Sequence, residues 1–360
     1  MNKKQVLRTA VFACVLIVVL YLMCSLFRGS NNLAAKGFNK FYDLEEETVD
    51  AIIVGTSGID RYWIAAKGYE EYGITMYPLA TNAQPTWTML NTIKEAKEQN
   101  QDLKLVVVDM RPFTVEYEPG VERPEAFSRQ AIDLLPLLSK NRVDAIERTL
   151  EHLQMINPDE EYDRLSFYLP FIKFHPKWSE DNFTFKKMLN QESDYLGFHM
   201  AKHHSTIQTS IDKRTQYTDE VGEITDIAKK NLYDIVDYCK EQGYEVLFVN
   251  TPHYLGPNNV KKMNAVAAIL EEEGVPYLNY TVVDESVYNL EEDYYNDGHV
   301  NYYGAEKFTT IFAKYLDENY DLPDRRNDEN VKKDWDGVYK KIKDKIADWE
   351  EKVGNEHKAN

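Results

Sequence analysis

Asp50-Ala51-Ile52-Ile53-Val54-Gly55-Thr56-Ser57-Gly58 is the stretch from which the fold class can be read. Residues 51–54 are apolar without alternation, the pattern of a strand buried on both faces. The run breaks at once into small residues, and a helical stretch begins near Ile59 and Asp60. Strand, tight turn and helix in that order open a parallel α/β unit. The rhythm recurs. Residues 74–79 form a second, weaker strand; 103–108 are rich in β-branched residues and end at Asp109; 245–249 and 275–278 complete the set. Helical spacing over 87–98, 227–242, 258–273 and 302–319 separates and follows them. The expectation is a five-stranded, parallel, flavodoxin-like sheet with right-handed crossovers and helices on both faces.

Residues 115–225 interrupt the alternation. They hold one helical stretch around 129–154 and then an aromatic-rich piece, residues 167–178. We read them as a helical insertion between the third and fourth strands, either a cap beside the functional edge or a layer packed on the core. Val331, Trp335, Tyr339, Ile342, Ile346, Trp349 and Val353 recur at three- and four-residue steps, so 321–360 carries one amphipathic helix, expected to pack on its own domain. The domain proper spans 45–320.

The N-terminus sets location. Residues 9–27 hold no charge and as a helix cover roughly 28 Å, close to one hydrocarbon core. Lys3, Lys4 and Arg8 precede the run and Arg28 follows it, which predicts a cytoplasmic N-terminus. Leu26-Phe27-Arg28 offers no small-x-small cleavage site, so 1–28 is read as an uncleaved single-pass anchor and 29–44 as a tether. The main domain is then extracytoplasmic. The first 28 residues hold four basic and no acidic side chains, leaving 38 basic against 60 acidic in the remainder. That excess repels phosphate backbones and argues against nucleic acid as a partner. Cys14 and Cys24 fall in the anchor and Cys239 stands alone, so no disulfide within the exterior domain and no zinc-type spacing is expected.

In a parallel α/β sheet, ligands meet the carboxyl ends of the strands. Ser57 lies at such an end, and Gly55 and Gly58 let the backbone turn tightly. Thr56 or Ser57 could simply cap the helix. A second cluster weighs against that bland reading: Asn296-Asp297-Gly298-His299-Val300-Asn301 follows the fifth strand and precedes the last domain helix. His299 could accept the Ser57 proton if a neighbour holds its other ring nitrogen, and Asp297 is close enough to do so.

Gly-Thr-Ser-Gly at 55–58 and Asp-Gly-His-Val-Asn-Tyr-Tyr-Gly at 297–304 together resemble the first and last blocks of SGNH (GDSL-type) hydrolases. The nearest likeness is to the membrane-anchored branch similar to DltD and the alginate O-acetylation proteins. Tyr77-Pro78-Leu79-Ala80, Phe174-His175-Pro176-Lys177-Trp178 and Leu322-Pro323-Asp324-Arg325-Arg326 add to it, so the resemblance spans about residues 45–340. It implies a three-layer α/β/α sandwich that moves or removes acyl groups on cell-surface polymers, often beside an MBOAT-type membrane acyltransferase.

Two departures bear on the chemistry. The family's Asp-x-x-His spacing would place the orienting carboxylate at position 296, which is Asn296; Asp297 or Asp293 could supply the charge instead. The Gly-x-Asn-Asp block is missing, and Asp109-Met110-Arg111-Pro112 follows the third strand. The expected roles are Ser57 as nucleophile, His299 as general base, Asp297 as orienter and Asn296 in reserve. Gly58, Asn82 and Arg111 are candidate oxyanion donors, and His253, His175 and Trp178 candidate substrate contacts. The expected substrate is an acetyl or D-alanyl ester of a cell-surface glycan or teichoic acid, with no metal or organic cofactor. The rival reading is a catalytically silent scaffold that binds polymer or acyltransferase.

Overall fold

A computed structural model describes residues 2–27, 34–99, 101–121, 123–176, 195–201, 217–296 and 298–359, with side chains through 353. Five parallel strands form one sheet: β1 (Ala51–Gly55), β2 (Met76–Ala80), β3 (Leu105–Asp109), β4 (Glu245–Asn250) and β5 (Tyr277–Asn279). Their order is β2-β1-β3-β4-β5. Every residue of β1, β2 and β3 is buried, as the unalternating apolar runs require.

The register sets the functional edge. Gly55 pairs with Ala80, Val54 with Val108, and Asp109 with Val249, so the carboxyl ends of four strands finish almost level. Between β1 and β3 the order of the sheet reverses. That switch point opens a crevice where loops diverge, and Ser57 and Asp109 lie on its two lips.

The insertion is a helical layer where it is described. The single expected stretch over 129–154 is two helices, Arg123–Ile132 and Lys140–Ile156, with Pro136 between them and Ser139 capping the second. Lys140–Ile156 packs along Thr86–Glu98. Polar ties fix that seam: Asn91 Nδ2 donates to Asp144 at 2.7 Å, and Asn141 Nδ2 to Glu95 at 2.9 Å. Ile132, Leu135, Ile146, Leu153 and Phe167 form a small core of their own. Of the two readings, a packed layer describes these helices.

The C-terminal stretch also differs from expectation. Gly337 adopts φ 73°, a conformation that ends one helix, Glu329–Trp335, before a second, Val338–Ala359. Both pack on the domain: Val331, Trp335, Ile342 and Ile346 are buried, and Trp335 meets Tyr77 edge-on at 6.3 Å. Upstream, Arg325 clasps the base of β1 through two bonds to Asp50, 2.7 and 2.8 Å, and Thr75 donates to the same carboxylate. Asp50 is buried and its partner about a fifth exposed. Asp50→Ala therefore leaves a partly buried cation with only Asp328 as partner and is expected to cost about 3 kcal/mol, the low end for broken buried pairs, read as a lowered urea midpoint.

Helix Lys3–Phe27 is long and apolar enough to cross a membrane, with a mean hydropathy of 2.8 over its best window. In its last turn Cys24 and Phe27 are buried, and the Phe27 ring lies 6.3 Å from that of Phe171 in the short helix Pro170–Phe174.

Candidate active site

Gly55 closes β1 with φ 153°, where a side chain would also press within 2.2 Å of Asp109 Cβ. This close approach lets Asp109 hold the turn. Its Oδ2 accepts from the Thr56 amide at 3.0 Å and from the Thr56 hydroxyl, and its Oδ1 from the Arg111 amide at 3.0 Å. Thr56 Oγ1 in turn accepts from the Gly58 amide at 3.2 Å, capping the helix Ser57–Asp60. The capping and catalytic readings thus divide between neighbours: Thr56 caps, and Ser57 is left free to point elsewhere.

Ser57 Oγ lies 2.8 Å from His299 Nε2. The histidine comes from a hairpin that the sequence pattern does not reveal, β6 (Tyr294–Asn296) against β7 (His299–Val300), in which Asn296 pairs with His299. His299 Nδ1 lies 2.8 Å from Asn296 Oδ1, which also accepts from the Gly298 amide at 3.0 Å. That second contact identifies the atom as oxygen, since an amide nitrogen could not accept. Nδ1 therefore carries the proton, the Nε2 lone pair faces Ser57, and the hydroxyl donates. The hairpin is locked against the final domain helix, Tyr302–Asn319. Asn301 caps that helix, and a side chain at Gly304 would come within 2.4 Å of Asp293 O.

Among the described residues the partner of Nδ1 is Asn296, held in reserve above; Asp297, the preferred candidate, lies outside them. Asp293 is engaged elsewhere: it is buried and pairs with Lys307 at 2.6 Å. Arg111 has both Nη groups engaged, while its Nε is buried with no hydrogen-bond partner. It gives Nη1 to Gly298 O at 2.7 Å, and Nη2 to Thr251 Oγ1 at 2.6 Å and Tyr62 Oη at 3.1 Å. It ties the histidine loop to the ends of β3 and β4. A Cβ at Gly58 would fall 2.7 Å from its guanidinium carbon, which explains the second glycine. With the Gly58 amide already turned to Thr56, the Ser57 amide and Asn82 remain as donors. Two residues beyond the Gly55–Ala80 pair, Asn82 stands level with Ser57, and its side chain makes no hydrogen bond among the described residues.

His253 is buried, with Nδ1 2.7 Å from Thr251 O, and backs the site. His175 stacks near Phe171 at 5.6 Å, on the face that meets the N-terminal helix. Trp178 and His203-His204 lie outside the described residues. Three residues that sequence reasoning passed over surround the pair: Arg61, one turn past Ser57; His199, whose Nδ1 is 4.0 Å from Asp60; and Tyr295, beside Asn296.

Burial first, then the charges of Arg111 and Arg61, push His299 down to about 3, so the imidazole is fully neutral at ordinary pH. Burial and Arg61 push His199 down to about 4, and burial above all lowers His253. Asp60 goes the other way, raised to about 7 chiefly by burial, with Arg61 opposing. The linkage sign follows. Between about pH 4 and 6.5 the unfolded chain protonates three histidines that the fold keeps neutral, while the fold holds one extra proton on Asp60. Unfolding takes up protons on balance, so stability falls as pH drops through that window. A lower urea midpoint at pH 5 than at pH 7 is the expected result.

No family model, curated protein or solved structure matches this chain.

Proposed function

We propose that the protein is a membrane-anchored, SGNH-type serine acyltransferase or esterase with a flavodoxin-like three-layer domain on the outer side of the membrane. The observation that carries this reading is the relay from Ser57 through His299 to Asn296, two contacts of 2.8 Å, at the switch point of the sheet. Ser57 Oγ attacks the acyl carbonyl while Nε2 of His299 takes its proton. The Ser57 amide and Asn82 face the developing oxyanion. The imidazolium then protonates the leaving oxygen, and the acyl group rests on Ser57 as an ester. An incoming hydroxyl, deprotonated by His299, carries it away; water in that place makes the protein an esterase. Asn296 holds the tautomer but stabilises the imidazolium less than a carboxylate would.

The acyl group in this reading is acetyl or D-alanyl, the acceptor a cell-surface glycan or teichoic acid, and the membrane partner an MBOAT-type acyltransferase. The resemblance of 55–58 and 297–304 to SGNH blocks and the apolar N-terminal helix support it. A fluorophosphonate probe tests the chemistry. Wild type is expected to acquire one adduct on Ser57, located by peptide mass, and Ser57→Ala none. A folded wild type that stays unlabelled would favour the silent scaffold, a reading that the neutral Asn296 keeps in play. Wall polymer from a Ser57→Ala strain separates the two activities: lost acylation indicates transfer, excess acylation removal.

A further inference from the structure

Arg61 is the anomaly of the site. The other buried or half-buried arginines of the described residues are each tied to an oxygen: Arg111 to Gly298, Arg129 to Glu125, Arg142 to Asp133, Arg148 to Asp234 and Arg325 to Asp50. Arg61, half-buried, makes no ion pair or hydrogen bond through its guanidinium among the described residues, and its Nε is buried without a partner. Acids are not scarce, since the chain holds 60 against 42 basic residues. The adjacent Asp60, the acid whose charge it feels, is itself pushed towards its protonated form by burial and makes no ion pair with the guanidinium. A cation taken partly out of water without a hydrogen-bonded partner is costly, and that cost is recovered when an anion arrives.

Its position says where that anion would be. Arg61 ends the helix that Ser57 begins, so the two lie one turn apart. Its charge is felt by both His299 and His199. The guanidinium carbon sits 5.4 Å from the ring centroid of Tyr295, which is exposed and directly precedes Asn296. A flat cation steadied by an aromatic face beside the nucleophile is suited to two-point binding of an oxyacid.

We propose that Arg61, flanked by Tyr295 and His199, is a subsite for an anionic oxyacid group, a carboxylate or a phosphodiester, carried by the substrate whose ester Ser57 attacks. The proposal rests on the acyl-transfer reading for what the substrate is, but not for whether the anion binds. Binding there selects charged polymers over neutral ones of the same acylation. It also offsets the Arg61 charge that helps depress His299, leaving burial and Arg111, and so strengthens the base as the substrate seats.

The test uses full-length Ser57→Ala protein in detergent micelles, which binds without turnover. Glucuronate and glycerol 3-phosphate are titrated against glucose and glycerol by calorimetry. At least one anion is expected to bind about 10-fold or more tightly than its neutral counterpart, and which one binds separates carboxylate from phosphate. Adding Arg61→Gln should erase the preference, Arg61→Lys should keep only part of it, and Tyr295→Ala should weaken it. Should glutamine unsettle the turn, the lysine variant still reads the loss of two-point binding. Equal binding of charged and neutral probes, or a preference that survives both Arg61 variants, overturns the subsite. Anion binding with an unreactive Ser57 would sink acyl transfer alone, whereas a labelled Ser57 with no anion preference would sink the subsite alone.

Discussion

His299→Ala is expected to slow acylation of Ser57 by about 10⁴-fold or more, whether read with a fluorophosphonate or an activated ester, because members of a nucleophile–base pair act as a unit. Among the described residues the hydroxyl meets no other base. His253 is buried behind the site with Nδ1 turned to Thr251, and His199 belongs to Asp60. Folding should be little affected, since the imidazole is half-buried and its deletion leaves the Asn296 amide and the Ser57 hydroxyl to be solvated. A neighbouring change gives the opposite sign. Asn296→Asp places a carboxylate 2.8 Å from Nδ1 and should raise both the labelling rate and the acid limb of its pH profile, as a charged partner stabilises the imidazolium. Equal labelling of wild type and His299→Ala would mean that the 2.8 Å contact is idle.

Asp109→Ala is expected to be the most damaging single change to the turn itself. The carboxylate is wholly buried and accepts three bonds, from the Thr56 amide, the Thr56 hydroxyl and the Arg111 amide. Alanine strands those donors at roughly 1–3 kcal/mol each, so a loss of about 4 kcal/mol or more is anticipated. The same change frees Thr56 from its cap and lets Ser57 drift from His299. Labelling should then fall even in protein that remains folded below its denaturation midpoint. Asp109→Asn, which keeps an acceptor, should lose less on both counts. A variant with wild-type stability and labelling would show that the turn is held by Gly55 and Thr56 alone.

The strands were legible because burial on both faces demands uninterrupted apolar residues, and 51–54, 105–108 and 246–249 comply, with the exposed Lys104 and Glu245 marking where two of them enter the sheet. Ser57 and His299 could be paired from topology, since both follow strands whose ends the parallel sheet must bring to one edge. What could not be read is equally physical. The hairpin that holds His299 is two to three residues a side and has neither alternation nor a β-rich run, so nothing local announces it. Its closure brings Asn296 to the imidazole. Asp109 looks like any carboxylate after a strand; its role exists only because Gly55 lets it approach. Arg61 resembles a solvated surface charge, and its lack of a bonded partner among the described residues becomes visible only in the fold. The breaks at Pro136 and Gly337 were visible as residues, but periodicity ran across them.

The contact between Phe27 and Phe171 carries a mechanical consequence. A catalytic body joined to its bilayer only by slack chain tumbles, and samples a hemisphere of orientations. One whose membrane helix finishes pressed against the body keeps a fixed height and tilt above the lipid. For a chain held in this way, reach is traded for aim. If the proposed function holds, a long surface polymer would meet the serine in one recurring pose, and travel across the leaflet, rather than rotation, would decide how often the two collide.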